Sequence, residues 1–197
     1  MLFRSLPTEP DLPVIGIISR LVGQKGFDVV VRAWWDLVQR RVRMVVLGTG
    51  EADVQAGFEH LAAQDPSRFA MRFTYDNALA HKIEAGADMF LMPSRFEPCG
   101  LTQMYSLRYG TVPIVRATGG LVDTVEPWDP KTGEGTGFSF EHADGTGLMW
   151  ALDRALEVYQ DRAAWERIMR AGMARNFSWE RSARAYVELY RRAMTLV

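Results

Sequence analysis

The sequence predicts an α/β fold: a doubly wound, Rossmann-like parallel sheet with helices on both faces. Its apolar segments are short and continuous rather than alternating, as strands buried on both faces require. Stretches of helical periodicity separate them, and that alternation builds parallel, right-handed crossovers. The length of 197 residues suits one ordinary domain with a full core and is short for two.

The elements follow in order. Residues 1–12 carry Pro7 and Pro10 and read as a linker or extension, leaving a folded domain over 13–197. Pro13-Val14-Ile15-Gly16-Ile17-Ile18-Ser19 reads as the first buried strand. A helix is predicted from about Gly26 to Arg40, with Phe27, Val30, Val31 and Trp34 on one face. Met44–Leu47 is the next strand, followed by a helix from Glu51 to Ala63 and a short strand from Phe69 to Phe73. A helix near Ala78–Ala85 leads into a strand over Asp88–Met92. Gly100–Tyr109 reads as helix, Val112–Val115 as strand, and Gly137–Phe140 as a last short strand. From Gly145 onward the chain is helical, with breaks near Gln160-Asp161 and Asn176-Phe177-Ser178. These C-terminal helices are expected to pack on the domain. In the last of them Trp179, Ala183, Tyr186, Tyr190 and Ala193 recur at helical spacing and read as a core-facing stripe. Residues 126–137, rich in Pro and Gly, form a long loop of the kind that is often functional.

Composition excludes several classes. A net charge of −1 lacks the basic excess of a general nucleic-acid binder. No apolar run reaches the roughly 18 residues of a membrane span, and Met1-Leu2-Phe3-Arg4 lacks a signal-peptide core. One cysteine, Cys99, excludes an internal disulfide framework and suits a reducing cytoplasm. His60, His81 and His142 are scattered without metal-ligand spacing, so no metal site is expected.

Every candidate for chemistry falls at a strand's carboxyl end, where open α/β sheets place their ligands. Ser19–Gly26 offers Arg20 and Lys25 on a Gly-punctuated turn, two cations suited to phosphate oxygens. For an isolated Arg-x4-Lys, two solvated surface cations are the weightier reading. Gly48-Thr49-Gly50 looks like part of a dinucleotide fingerprint. Asp53 stands where the third Gly belongs and the strand is not the first, so these glycines read as turn residues. Tyr75 suits stacking on a purine, though an aromatic here more often packs.

The most informative loop is Arg95-Phe96-Glu97-Pro98-Cys99-Gly100-Leu101-Thr102-Gln103. It sets one carboxylate at the lip of a helix start, whose free N–H groups hold anions. Glu97 suits sugar hydroxyls, or alternatively complements the helix dipole. Gly100, Leu101 and Thr102 offer amides to a phosphate. Cys99 lacks a nearby His to activate it and reads as a small buried residue filling the turn. After the next strand, Thr118-Gly119-Gly120 allows close approach to a ligand, or makes an ordinary turn.

Together these residues resemble the glycogen and starch synthases of bacterial and plant type. The resemblance rests on Ser-Arg-Leu-x3-Lys-Gly at 19–26, Gly-x-Gly at 48–50, and Tyr75 with Ala78, His81 and Ile83. It continues through Met-Pro-Ser-Arg-Phe-Glu-Pro-Cys-Gly-Leu-Thr-Gln at 92–103, Tyr-Gly-Thr-x-Pro at 109–113, and Thr-Gly-Gly-Leu-x-Asp-Thr-Val at 118–125. Gly-Thr-Gly-Phe at 135–138 and Phe-Ser-Trp at 177–179 complete it. The Glu97–Gln103 string is highly specific.

The resemblance implies one half of a two-domain GT-B fold, with 13–197 as its nucleotide-sugar-binding C-terminal half. It implies a retaining transferase that moves glucose from ADP-glucose, or UDP-glucose, to the end of an α-1,4-glucan without a cofactor or metal. Glu97, Arg20 and Lys25 become the catalytic set: the two cations take the diphosphate, and Glu97 holds the donor glucose without being assigned as nucleophile. Tyr75 stacks on adenine. Cys99, Gly100, Leu101, Thr102, Thr118, Gly119 and Gly120 complete the substrate-binding set. Tyr105 occupies the place, eight residues after Glu97, where many GT-B enzymes carry a second Glu. Nothing in the chain resembles the family's N-terminal domain with its Lys-x-Gly-Gly-Leu loop and acceptor site. Without that domain, part of the terminal-helix stripe is left open to self-association. Two alternatives stand beside this reading: a stand-alone nucleotide or nucleotide-sugar binding module, and another retaining GT-B transferase.

Overall fold

The structure, a computed structural model, describes residues 12–195. The linker reading for residues 1–11 lies outside the described residues, as do positions 196 and 197. Leu12 is buried, and its carbonyl accepts from the Arg43 guanidinium at 2.7 Å.

Among the described residues six strands form one parallel sheet: β1 (Val14–Ile18), β2 (Arg43–Leu47), β3 (Phe69–Arg72), β4 (Met89–Met92), β5 (Val112–Arg116) and β6 (Phe138–Phe140). Their spatial order is β3-β2-β1-β4-β5-β6. The winding reverses between β1 and β4, which opens a crevice beyond their carboxyl ends.

The strands read as unbroken apolar runs because both faces are covered. Ile15, Ile17, Met44, Val46, Met89, Leu91, Val112 and Ile114 point into the larger core. That core is closed by α1 (Phe27–Arg32), α2 (Trp34–Val38), α3 (Ala52–Gln64), α7 (Gly145–Tyr159) and α8 (Arg162–Met173). Alternate residues of the same strands face the other side. Val14, Val45 and Leu47 meet α4 (Asn77–Gly86) there. Phe90, Met92 and Val115 pack with Leu121 of the short α6 (Gly120–Thr124).

The expected helix over 26–40 is two helices, parted at Ala33, whose ψ of 9° leaves the helical range. Gly145, at the start of α7, lies against Ala33. The bend lets Val29 and Val30 before it, and Trp34 and Leu37 after it, reach one core. Helix α5 (Thr102–Tyr109) starts two residues later than predicted, because Gly100 has a left-handed φ of 75°.

Two regions remain, a loop and the last helix. The 126–137 loop leads into the amino end of β6, so it lies at the sheet edge opposite the crevice. It is pinned there by Trp128 N–H to Gly137 C=O at 2.8 Å and by a Glu126–Arg175 ion pair at 2.6 Å. The last helix, α9 (Trp179–Met194), buries none of its residues, so its stripe is not core-facing. Trp179, Tyr186 and Tyr190 are 86%, 58% and 62% exposed. Helical spacing encodes an apolar face but does not say which surface covers it. Among the described residues no helix is long and apolar enough to cross a membrane.

Candidate functional site

The crevice is built by two loops that hold each other. The loop after β1 first extends the sheet: Ser19 N–H donates to Leu47 C=O at 3.1 Å, Leu21 N–H to Thr49 C=O at 2.9 Å, and Glu51 N–H to Leu21 C=O at 2.8 Å. Gly48 and Gly50 therefore serve that loop pairing. The Glu51 carboxylate accepts from Gly23 N–H at 3.1 Å, and one tight turn runs over Gly23–Lys25. Gly26 then takes φ 72°, and a Cβ there would stand 2.0 Å from the Pro93 carbonyl oxygen. Only glycine lets this turn press against the loop after β4.

The β4 loop is strapped back onto it. Arg95 N–H donates to Gln24 C=O at 2.9 Å, and Gln24 Nε2 donates to Phe96 C=O at 3.2 Å. The Arg95 guanidinium forks onto Asp28 at 2.5 and 2.8 Å and donates to Gly23 C=O at 2.9 Å. That guanidinium holds the Asp28 carboxyl below the usual carboxylate range. Arg116, at the end of β5, donates to the carbonyls of Ser94 at 3.2 Å, Arg95 at 2.8 Å and Glu141 at 3.1 Å.

These straps bring Lys25 Nζ to 2.5 Å from Glu97 Oε2. Ser94 Oγ donates to the same oxygen at 3.2 Å. Glu97 is only 6% exposed, so it lies beneath the loop rather than at its lip. Local sequence could not show this, because the covering Lys25 is 72 residues away. Both partners sit on Oε2. Among the described residues Oε1 takes no hydrogen bond, and it is not sealed from solvent. The arrangement is a fixed carboxylate with one oxygen free to accept.

Beyond Glu97 the backbone turns. Gly100 has φ 75°, and Leu101 follows with φ −109° and ψ −35°. A left-handed residue followed by a right-handed one curls successive N–H groups into an anion-holding concavity. Among the described residues the N–H groups of Gly100, Leu101 and Thr102 have no acceptor. Gly119 and Gly120 close on this loop from the β5 side. Gly119 has φ 47°, and a Cβ there would stand 2.0 Å from the Glu97 carbonyl oxygen. Gly120 N–H donates to that same oxygen at 3.0 Å. Thr118 C=O accepts from Leu121 N–H at 3.1 Å and starts α6.

The structure thus joins Lys25, Glu97, Gly119 and Gly120 by direct contact and sets Gly100–Thr102 next to them. Arg20 is exposed on the β1 loop and makes no ion pair among the described residues. Tyr75 is 88% exposed after β3. At a strand spacing of about 4.8 Å, the β3 and β4 ends lie about 14 Å apart, which fits an extended ligand.

Cys99 is exposed, contrary to the expectation of a buried filler. Its backbone, against Gly120, fills the turn instead. Cys99 lines an open cavity of about 1020 Å³ with Leu101, Tyr105 and Trp179, between α5 and the start of α9. Sequence reasoning gave no role to Ser94 or Arg116. A polar residue inside a buried loop and an arginine at the end of a buried strand were the available signals. Among the described residues no three His, Cys, Asp or Glu side chains cluster as metal ligands would.

Residues 2–171 match the family model described as glycosyl transferases group 1. The chain is 55% identical over 185 residues to a glycogen synthase of Koribacter versatilis, covering 94% of this chain and 38% of that protein. It is 50% identical over 192 residues to glycogen synthase 1 of Methylococcus capsulatus, covering 96% of this chain and 39% of that protein. Among solved structures it is similar to the catalytic domain of starch synthase IV from Arabidopsis thaliana bound to ADP and acarbose. That likeness has a TM-score of 0.86 and 39% identity, covering 97% of this chain and 40% of that one. The chain therefore spans about 40% of the length of these relatives.

Proposed function

The chain belongs to the group 1 glycosyl transferases, and from that premise we propose that it forms the donor-binding half of a retaining glucosyltransferase of glycogen- or starch-synthase type. In this reading residues 13–197 are the C-terminal half of a GT-B fold. The enzyme moves glucose from ADP-glucose, or UDP-glucose, to the non-reducing end of an α-1,4-glucan, which a separate N-terminal domain presents. A cytoplasmic location belongs to the same reading. The observation that carries it is the covered Lys25–Glu97 pair beside three N–H groups without an acceptor among the described residues, at the switch point. The similar starch synthase domain is described as bound to ADP and acarbose, which supports a nucleotide and a glucan as ligands.

The resemblance supplies the proposed roles, and the geometry supports them. Loss of the sugar leaves negative charge on the nucleoside diphosphate. Arg20, Lys25 and the N–H groups of Gly100, Leu101 and Thr102 stabilise that charge as it develops, with no cofactor or metal assigned. Fixed donors aimed at developing charge supply one of the largest catalytic effects. Glu97 Oε1 accepts from a donor-glucose hydroxyl while Lys25 and Ser94 hold Oε2. Adenine stacks on Tyr75. Gly119 and Gly120 keep the Glu97–Cys99 backbone in place, and Thr118 lies at the same edge. Alignment of the acceptor and exclusion of water belong to the facing domain, so the 197-residue chain on its own binds nucleotide and transfers little or no glucose.

Calorimetric titration with ADP, UDP and their glucose conjugates tests this reading. The wild-type chain binds ADP, and Arg20→Ala, Lys25→Ala and Tyr75→Ala each weaken that binding about fivefold or more. If none of the three changes the affinity, the site is wrongly assigned.

A further inference from the structure

Gln103, in the first turn of α5, is fully buried, yet among the described residues its Oε1 has no hydrogen-bond partner. An orphaned buried acceptor is rare enough to require a reason. The reason lies on the other side of the same amide. The two hydrogens of Gln103 Nε2 are shared among three acceptors, Cys99 C=O at 3.1 Å, Gly100 C=O at 2.9 Å and Thr124 Oγ1 at 3.0 Å. Turned over, the amide would set Oε1 against two carbonyl oxygens, so the loop itself dictates this orientation.

The C=O and N–H of one trans peptide point in opposite directions. Drawing the Cys99 carbonyl inward therefore turns the Gly100 N–H outward, and drawing in the Gly100 carbonyl does the same for Leu101 N–H. The Leu101 carbonyl is taken by Tyr105 N–H at 3.0 Å, so Thr102 N–H points outward as well. Two of the three outward groups are thus aimed by one buried side chain. Thr124 Oγ1, which receives Nε2, donates in turn to Gly120 C=O at 2.7 Å. That bond ties the clamp to the glycine pair backing Glu97.

We propose that Gln103 is a positioning residue that holds the Gly100 and Leu101 amides toward the distal phosphate of the donor nucleotide. The proposal rests on the phosphate assignment made under the proposed function. Gln103 touches no ligand itself. Its unpaired oxygen is the consequence of committing its donor group to the loop.

The test is a titration of wild type and Gln103→Met with ADP and with AMP, which lacks the distal phosphate. Methionine keeps the length and removes the donors. ADP affinity falls about tenfold in the variant, while AMP affinity changes less than twofold. Equal losses for both nucleotides reveal a merely structural role, and unchanged ADP affinity shows no role; either overturns the proposal. If Gln103→Met does not fold, hydrogen exchange in the wild type decides. ADP, and not AMP, then slows exchange of the Gln103 side-chain amide protons; no slowing, or the same slowing with AMP, overturns it. Failure of the wild type to bind ADP removes the donor-binding reading and this proposal together.

Discussion

Lys25 and Glu97, at the β1–β4 end of the cleft, are covered and strapped from both sides, whereas Tyr75, at the β3 end, is 88% exposed. The first end is held by Arg95 on Asp28, Arg116 on two loop carbonyls, and glycines at 26 and 119 where a Cβ would collide. Among the described residues the Tyr75 hydroxyl makes no hydrogen bond. Under the proposed donor-binding reading, the contrast separates two ways of recognising one extended ligand. Charge is met by groups fixed in advance, which need not reorganise when it develops. A flat base needs only a surface to stack on, and the ligand itself completes that contact.

The largest effect is expected at the fixed end. With side chains only 17% and 7% exposed, the Lys25–Glu97 pair leaves a covered, unpaired carboxylate in Lys25→Ala. Stability falls by about 3 kcal/mol, read as a lower urea midpoint, and ADP binding is lost. The double variant Lys25→Met/Glu97→Gln recovers most of that stability and none of the binding. If it recovers both, the pair is structural and the contrast collapses.

A smaller effect, confined to binding, is expected at the open end. Tyr75→Ala leaves stability within about 0.5 kcal/mol of wild type and weakens ADP binding by about 1–2 kcal/mol through lost stacking. A melting temperature lower by several degrees would make the ring a packing residue and erase the difference between the ends.

The smallest effect is a pH dependence of the strap. The Asp28 carboxyl is held low by Arg95, so the folded state binds its proton less readily than the unfolded chain does. The pair's contribution is complete above the unfolded carboxylate range, near pH 4, and is lost as the pH falls through the folded value. Arg95 is 38% exposed, and solvent screening limits the contribution to about 0.5–1 kcal/mol. Asp28→Asn is less stable than wild type by that amount at pH 7, and the gap closes as the pH falls below the folded value of the Asp28 carboxyl. A gap that persists there removes the ion pair as its cause.

The sheet was legible because its signal is local. Each strand is a short apolar run, and the predicted runs match β1 to β6 to within a residue or two. The placement of Arg20, Lys25, Tyr75 and Glu97 at strand ends was legible for the same reason. What joins them was not. Lys25 meets Glu97 across 72 residues, and no local pattern reveals that the β1 and β4 loops interlock at Gly26. Cys99 was misread because a small residue in a tight turn looks like filler, while Gly120 supplies the fit from outside. The stripe of α9 was correctly seen as an apolar face and wrongly assigned to the core. Gln103 appeared only as part of a motif, since its role lies in the direction of two carbonyl groups.

The most direct test is a crystal structure of the chain with ADP bound. The backbone over 20–26 and 93–102 is predicted to stay within about 1 Å of its ligand-free position. The distal phosphate is expected on the N–H groups of Gly100, Leu101 and Thr102, and adenine on the Tyr75 ring. A nucleotide bound elsewhere, or these two loops rebuilt around it, would contradict a site whose charged end is formed before the ligand arrives.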